Sequence, residues 1–200
     1  MSSVEDAYAL AKAGRWTTVI AMWRQDEWFA RRCSRYSQPH SGWTFLHQAA
    51  YFGNDAACRE MIRLGTPANA LGADDKMPAA VATSRGHQAI AELLHHAAQG
   101  AIDSLWSAPD DPALLPSSCL WDEARERRAS QAISIKYGGG HVDIPAGGHY
   151  YVDSFERVLV GWHGSYDTPC GMDDYPMIDD AVTRVAARAG RPQRGVHDPD

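Results

Sequence analysis

One pattern occurs twice at a fixed offset between Gly42 and Ala97, and it constrains the fold more than any other feature of the chain. Thr44-Phe45-Leu46-His47-Gln48-Ala49-Ala50, followed by Gly53-Asn54, returns as Met77-Pro78-Ala79-Ala80-Val81-Ala82, followed by Gly86-His87. Thr44 and Met77, Ala49 and Ala82, and Gly53 and Gly86 are each 33 residues apart. A unit of that length holds one supersecondary motif, which cannot bury its apolar face alone, so about three units are needed for a stable stack. Pro78, and by position Phe45, opens a helix, where a missing backbone N–H costs nothing. Ala49, Ala50 and Ala82 are small where two antiparallel helices approach closely. Gly53 and Gly86 close the first helix of each unit, because a left-handed residue is cheap there only for glycine. Leu46, Met61, Ile62, Ile90, Leu93 and Leu94 supply the apolar face that stacks on the neighbouring unit.

The period and its core resemble the ankyrin repeat, T-P-L-H-x-A-x-x-x-G-H, and Gly65-Thr66-Pro67-Ala68-Asn69-Ala70 looks like the hairpin that joins such repeats. The likeness is strongest over 42–97 and extends over 4–41. It implies a stack of helix pairs that holds another macromolecule, and a structural His47 that hydrogen-bonds between neighbouring repeats. It also implies recognition through hairpin tips and the exposed side of each first helix. Carried over residue by residue, those positions are His40, Ser41, Trp43, Tyr51 and Phe52 in one repeat. In the next they are Ala73, Asp74, Lys76, Ser84 and Arg85. Trp43, Tyr51 and Phe52 stand where polar residues are expected, and clustered aromatics are the composition of interface hot spots. The competing reading is that the C-terminal half folds back and covers them.

A third unit is expected at the N-terminus. Asp6 to Gly14 reads as a helix, with Ala9-Leu10-Ala11 ahead of Gly14, and Trp16 to Trp28 as its partner, burying Val19, Ile20 and Trp23. Gly14 and Gly53 are 39 residues apart, which leaves about six extra residues, assigned to a loop over Arg31–Pro39. Ala79 and Ala80 replace the usual Leu and His of the third unit, and terminal units are atypical because they cap the stack.

The chain divides into a repeat domain over 1–108, a β-rich module over 119–189 and a disordered tail over 190–200. Proline and serine interrupt any helix near Pro109–Ser118. Cys119 to Gln131 reads as a short charged helix. Ile133, Ile135 and Tyr137 then alternate with polar residues, and Val142, Ile144, Tyr150–Val152 and Val158–Trp162 follow between glycine clusters. This argues for a meander of about four antiparallel strands, with Asp153–Arg157 as a hairpin connection. Asp179–Ala189 reads as a final helix with Val182, Val185 and Ala186 inward. The fold class expected is therefore α+β: a short ankyrin-type helical stack, then a small antiparallel meander with flanking helices. A single sheet must cover one face, so it packs on its own helices or on the end of the stack.

Charge narrows the partners. The first hundred residues carry 10 Lys and Arg against 9 Asp and Glu and the second hundred 9 against 16, so the formal net of −6 divides into +1 and −7. An acidic half argues against nucleic acid, which needs clustered positive charge, and favours a basic protein partner. No apolar run approaches the roughly 18 residues of a membrane span, and Met1–Asp6 lacks signal-peptide features. Together with four scattered cysteines, this predicts a cytoplasmic protein with structural thiols and no membrane association. Three lysines against 16 arginines suggest a GC-rich bacterial genome.

Candidate chemistry is sparse. Gly138–Gly140 lies between strands without the Lys and Ser or Thr of a phosphate loop, and reads as a turn. His141, His149, His163 and Cys170 match no zinc spacing, and the acidic run Asp167, Asp173, Asp174, Asp179 and Asp180 lacks that of a calcium loop. No metal or cofactor is expected. Asp173 and Asp174 are candidates for an acidic recognition surface. Cys170 beside His163, with Asp153 or Asp167 orienting the ring, would make a nucleophile–base pair. Three functions follow. The first and expected one is a module that binds a protein partner stoichiometrically, as a bacterial immunity protein blocks a toxin. The second is an enzyme using Cys170, His163 and Asp167 on substrate presented by the stack. The third is a scaffold or regulator joining two proteins.

Overall fold

The structure, a computed structural model, describes residues 3–100, 111–137 and 140–159. Within them lie helices α1 (Val4–Lys12), α2 (Trp16–Gln25), α3 (Glu27–Ser34), α4 (Phe45–Phe52), α5 (Asp55–Arg63), α6 (Pro78–Ser84) and α7 (Gln88–Gln99). Strands β1 (Ser117–Ser118), β2 (Arg125–Arg128), β3 (Ile133–Tyr137), β4 (Gly140–Ile144), β5 (His149–Val152) and β6 (Val158–Leu159) follow. The class is α+β, as the sequence predicts. None of the described helices is long and apolar enough to cross a membrane.

The two copies at offset 33 adopt one geometry. α4 and α6 each run into a left-handed glycine, Gly53 at φ 66° and Gly86 at φ 79°. The next N–H then reaches back five residues: Asn54 N to Ala49 O and His87 N to Ala82 O, both 2.9 Å. The N-terminal unit repeats this closure with Gly14 at φ 73° and Arg15 N on Leu10 O at 2.9 Å. An alanine in such backbone costs about 1–2 kcal/mol at either site. At Gly53, however, the new Cβ also meets His87 Nδ1 at 2.6 Å, whereas at Gly86 nothing lies within 4 Å. Gly53→Ala is therefore expected to lower the melting temperature more than Gly86→Ala. Equal shifts would show that the His87 ring swings aside at no cost.

Between the units lies a continuous apolar core in which Phe45, Leu46, Met61, Ile62, Leu64 and Leu94 are wholly enclosed. Val19 and Trp23 are buried as expected, while Ile20 and Leu93 are only partly so.

Two expectations are corrected. The helix expected over Trp16–Trp28 ends at Gln25, because Asp26 is extended (φ −142°) and its side chain accepts from Phe29 N at 2.9 Å. That cap starts α3, so Arg31–Ser34 is helical and not loop, and the residues beyond the 33-residue period are largely an added helix. Phe29, Ala30 and Cys33 form its buried stripe, packed toward α1, α2 and α4. The charged helix expected over Cys119–Gln131 is instead a single 3-10 turn at Trp121–Glu123 followed by β2. Cross-strand pairing decides this: β2 runs antiparallel to β5 from Arg125 opposite Val152 to Arg128 opposite His149. Arg125 and Arg127 both reach Glu156, each at 2.9 Å.

The strands form two ladders, a four-stranded sheet in the order β1-β6-β5-β2 and a β3–β4 pair. β3 pairs antiparallel with β4, and β5 with β6, as expected of neighbours. β5 takes β2 instead of β4 as its other partner, and β1 joins β6 in parallel. Ile135, Val142, Ile144 and Val158 form a small core of their own. Leu120 and Phe155, in the connections beside the sheet, instead join the core of the helices, and Phe155 and Arg157 meet α7 at His96 and Ala97. α3 adds contacts: Arg31 donates to the Pro112 carbonyl at 3.4 Å and Arg35 to that of Leu114 at 3.0 Å. Gly138, Gly139, the strand end at Trp162, the helix expected over Asp179–Ala189 and the tail over 190–200 lie outside the described residues.

Candidate functional site

The chain between α3 and α4 folds into a tight turn, with Gln38 N on Trp43 O at 2.9 Å and Gly42 N on Gln38 O at 2.8 Å. It delivers Trp43 onto the start of α4. There the indole stacks on His47, with centroids 5.6 Å apart and planes at 22°. Its Nε1–H donates to Asp74 at 3.2 Å, and Lys76 Nζ approaches the same carboxylate at 3.4 Å. The indole N–H, then the Lys76 ammonium, holds the Asp74 carboxyl below its ordinary pKa. Tyr51 lies 6.3 Å from Trp43 and 5.1 Å from Phe52. The Arg85 guanidinium covers the Tyr51 ring at 4.2 Å, a cation–π contact. Six of the residues named from the sequence (Trp43, Tyr51, Phe52, Asp74, Lys76 and Arg85) thus form one connected surface, and His40 stands beside it.

This surface borders a groove of about 490 Å³. α1 contributes Tyr8 and Lys12, the turn contributes Gln38, His40, Ser41 and Trp43, and α4 contributes Gln48 and Tyr51. Tyr8 and Gln48 build the floor: both are buried, and Gln48 Nε2 donates to Tyr8 Oη at 3.0 Å. Burial raises the pKa of that phenol. Sequence reasoning passed over Tyr8, Lys12, Gln38 and Gln48, although for Lys12 a signal existed. Setting Gly14 over Gly53 places Lys12 at the position of Tyr51 and Ala13 at that of Phe52. The exposed row therefore begins in the first unit.

His47 joins neighbouring units. Its Nδ1 accepts from Thr44 N at 3.1 Å, so Nε2 carries the proton and donates to the Lys76 carbonyl at 3.1 Å. The ring is fully buried, and burial lowers its pKa, which keeps it neutral.

Phe52 is 39% exposed, yet its inner edge meets Trp16 at a centroid distance of 6.5 Å. Trp43 and Tyr51 are partly exposed. The competing reading, in which the second half covers the aromatics, is not what the described residues do. Their contacts from that half fall on α3, through Arg31 and Arg35, and on α7, through His96 and Ala97.

The other candidates stand apart. His141 on β4 neighbours Asp143 at 3.6 Å, and His149 on β5 lies between Glu126 and Arg128. Among the described residues no three His, Cys, Asp or Glu side chains gather in a way that would hold a metal. Asp153 is fully buried against Arg157. Cys33 and Cys58 are buried thiols, and burial pushes their pKa values up to about 11 and about 12. His163, Asp167, Cys170, Asp173 and Asp174 lie outside the described residues. No family model matches the chain, and neither does any curated protein or solved structure.

Proposed function

We propose that residues 4–97 act as an ankyrin-type stack that binds another protein stoichiometrically, with the groove and its aromatic border as the contact surface. One observation carries this reading. Trp43, Tyr51 and Phe52 are held in fixed positions by Asp74, His47, Arg85 and Trp16, yet each keeps solvent-exposed surface beside an open groove. Rigid, partly exposed aromatics lose little side-chain freedom on binding, which is why they dominate contact energies. Leu71 and Met77, 59% and 36% exposed, extend the apolar surface along the connection that leads to α6. An immunity-type blocker of a toxin is the form of this function that needs only a recognition surface.

The test is affinity capture by the full chain, its Trp43→Ala and Tyr51→Ala variants and, for each, a thermal melt. Each substitution is expected to weaken the captured partner by about 2 kcal/mol or more with a small change in melting temperature. A partner that binds both variants as tightly as the parent would place the interface elsewhere.

A further inference from the structure

The charges around this groove specify what it takes. Of the residues lining it, Lys12 is the one with a permanent charge, and none is a carboxylate. The acid that approaches the aromatic border, Asp74, is already engaged by the Trp43 indole and Lys76. Lys12 is exposed and, among the described residues, has no carboxylate partner. Arg85 is exposed as well, resting on the Tyr51 ring and, among the described residues, without a carboxylate of its own. The repeat register orders these groups. Lys12, Tyr51 and Ser84 occupy one equivalent row, and Ala13, Phe52 and Arg85 the next. A cation of the first unit and a cation of the third therefore bracket the aromatics of the second.

Resting on the protein-binding reading above, we propose that the groove recognises an extended acidic segment of a partner protein. Two carboxylates of that segment meet Lys12 and Arg85, and an apolar side chain between them packs on Trp43 and Tyr51. Spacing follows from geometry. Helices of neighbouring units pack about 8–10 Å apart, so two steps span about 16–20 Å, and an extended chain rises about 3.3 Å per residue. With Arg85 leaning in over Tyr51, the two acids fall about five residues apart. This recognition is local and opposite in sign to the chain's overall charge, which attracts basic molecules. The chain's own Asp174-Tyr175-Pro176-Met177-Ile178-Asp179 has the same pattern, and it is the competing occupant.

The experiment selects displayed random dodecapeptides on the immobilised full chain. The leading peptide is then titrated, fluorescein-labelled, against the parent and its variants. Enriched sequences are expected to carry two acids about five residues apart around an aromatic or aliphatic residue. Lys12→Glu should weaken the leading peptide at least about tenfold, Lys12→Arg should restore it, and rising salt should weaken it. Basic or uncharged enriched sequences that still depend on Trp43 would overturn the acidic inference while leaving the protein-binding reading standing. No enrichment, or binding indifferent to Trp43, would remove both. Displacement of the peptide by oligothymidine at equal concentration would reassign the cations to nucleic acid. Tighter peptide binding after replacing Asp167, Asp173, Asp174, Asp179 and Asp180 by Asn would identify the chain's own segment as the occupant and overturn the external one.

Discussion

Leu46→Ala is expected to destabilise the protein by about 2–5 kcal/mol, read as a lower urea midpoint at unchanged slope. Leu46 has no exposed surface and sits on α4, which packs against α1, α3, α5 and α6. Truncation removes apolar contacts and leaves a cavity that these helices cannot all move to fill. Stacked repeats are held by each unit and its contacts with the next, so damage to the middle unit weakens both neighbours at once. Leu93→Ala is the control. Its side chain is only half-buried, the inward position of α7 being taken by Leu94, and the loss should be clearly smaller. If Leu93→Ala cost as much as Leu46→Ala, the central role of α4 would be wrong.

The helical half was legible because its signals are local. A glycine at a fixed offset closes each first helix, and the small residues before it mark the close approach, so Gly14, Gly53 and Gly86 register three units without reference to anything distant. The added helix α3 escaped notice because its start depends on one side chain. Asp26 follows a run that is helical on either side, and nothing nearby shows that its carboxylate turns to cap Phe29. β2 was misread for another reason. Arg125-Glu126-Arg127-Arg128 has no apolar periodicity, and its conformation is set by β5 and Glu156, more than twenty residues downstream. In the groove, His40, Ser41, Trp43 and Tyr51 were legible from the repeat pattern and Lys12 required carrying it into a unit with a different period, whereas Tyr8, Gln38 and Gln48 occupy none of its variable positions.

The second large effect lies where the two halves of the chain meet. Arg157→Met is expected to cost about 3–5 kcal/mol, the usual penalty for removing one partner of a buried ion pair. Arg157 and Asp153 are 5% and 0% exposed, with Nε and the carboxylate 2.9 Å apart. Such a pair is tolerable when most of its remaining atoms are satisfied, and here Arg157 Nη2 is the one buried atom of the pair with no hydrogen-bond partner among the described residues. Asp153 also accepts from the backbone N–H groups of Phe155 and Arg157, both at 2.9 Å. Arg157 Nη1 donates to the Ala97 carbonyl at 3.0 Å, in the last turn of α7, where a cation also complements the helix dipole. Methionine fills similar volume but leaves the Asp153 charge without its cation and Ala97 without its donor. The two causes are separable. Asp153→Asn keeps an oxygen for the backbone N–H groups while removing the charge. If the stranded carboxylate dominates, the double variant should be more stable than the sum of the single losses predicts, by about 0.5–3 kcal/mol. Strict additivity would mean that the lost contact with α7 carries the cost, so that Arg157 acts as a clamp on the helix end and not as one half of an ion pair.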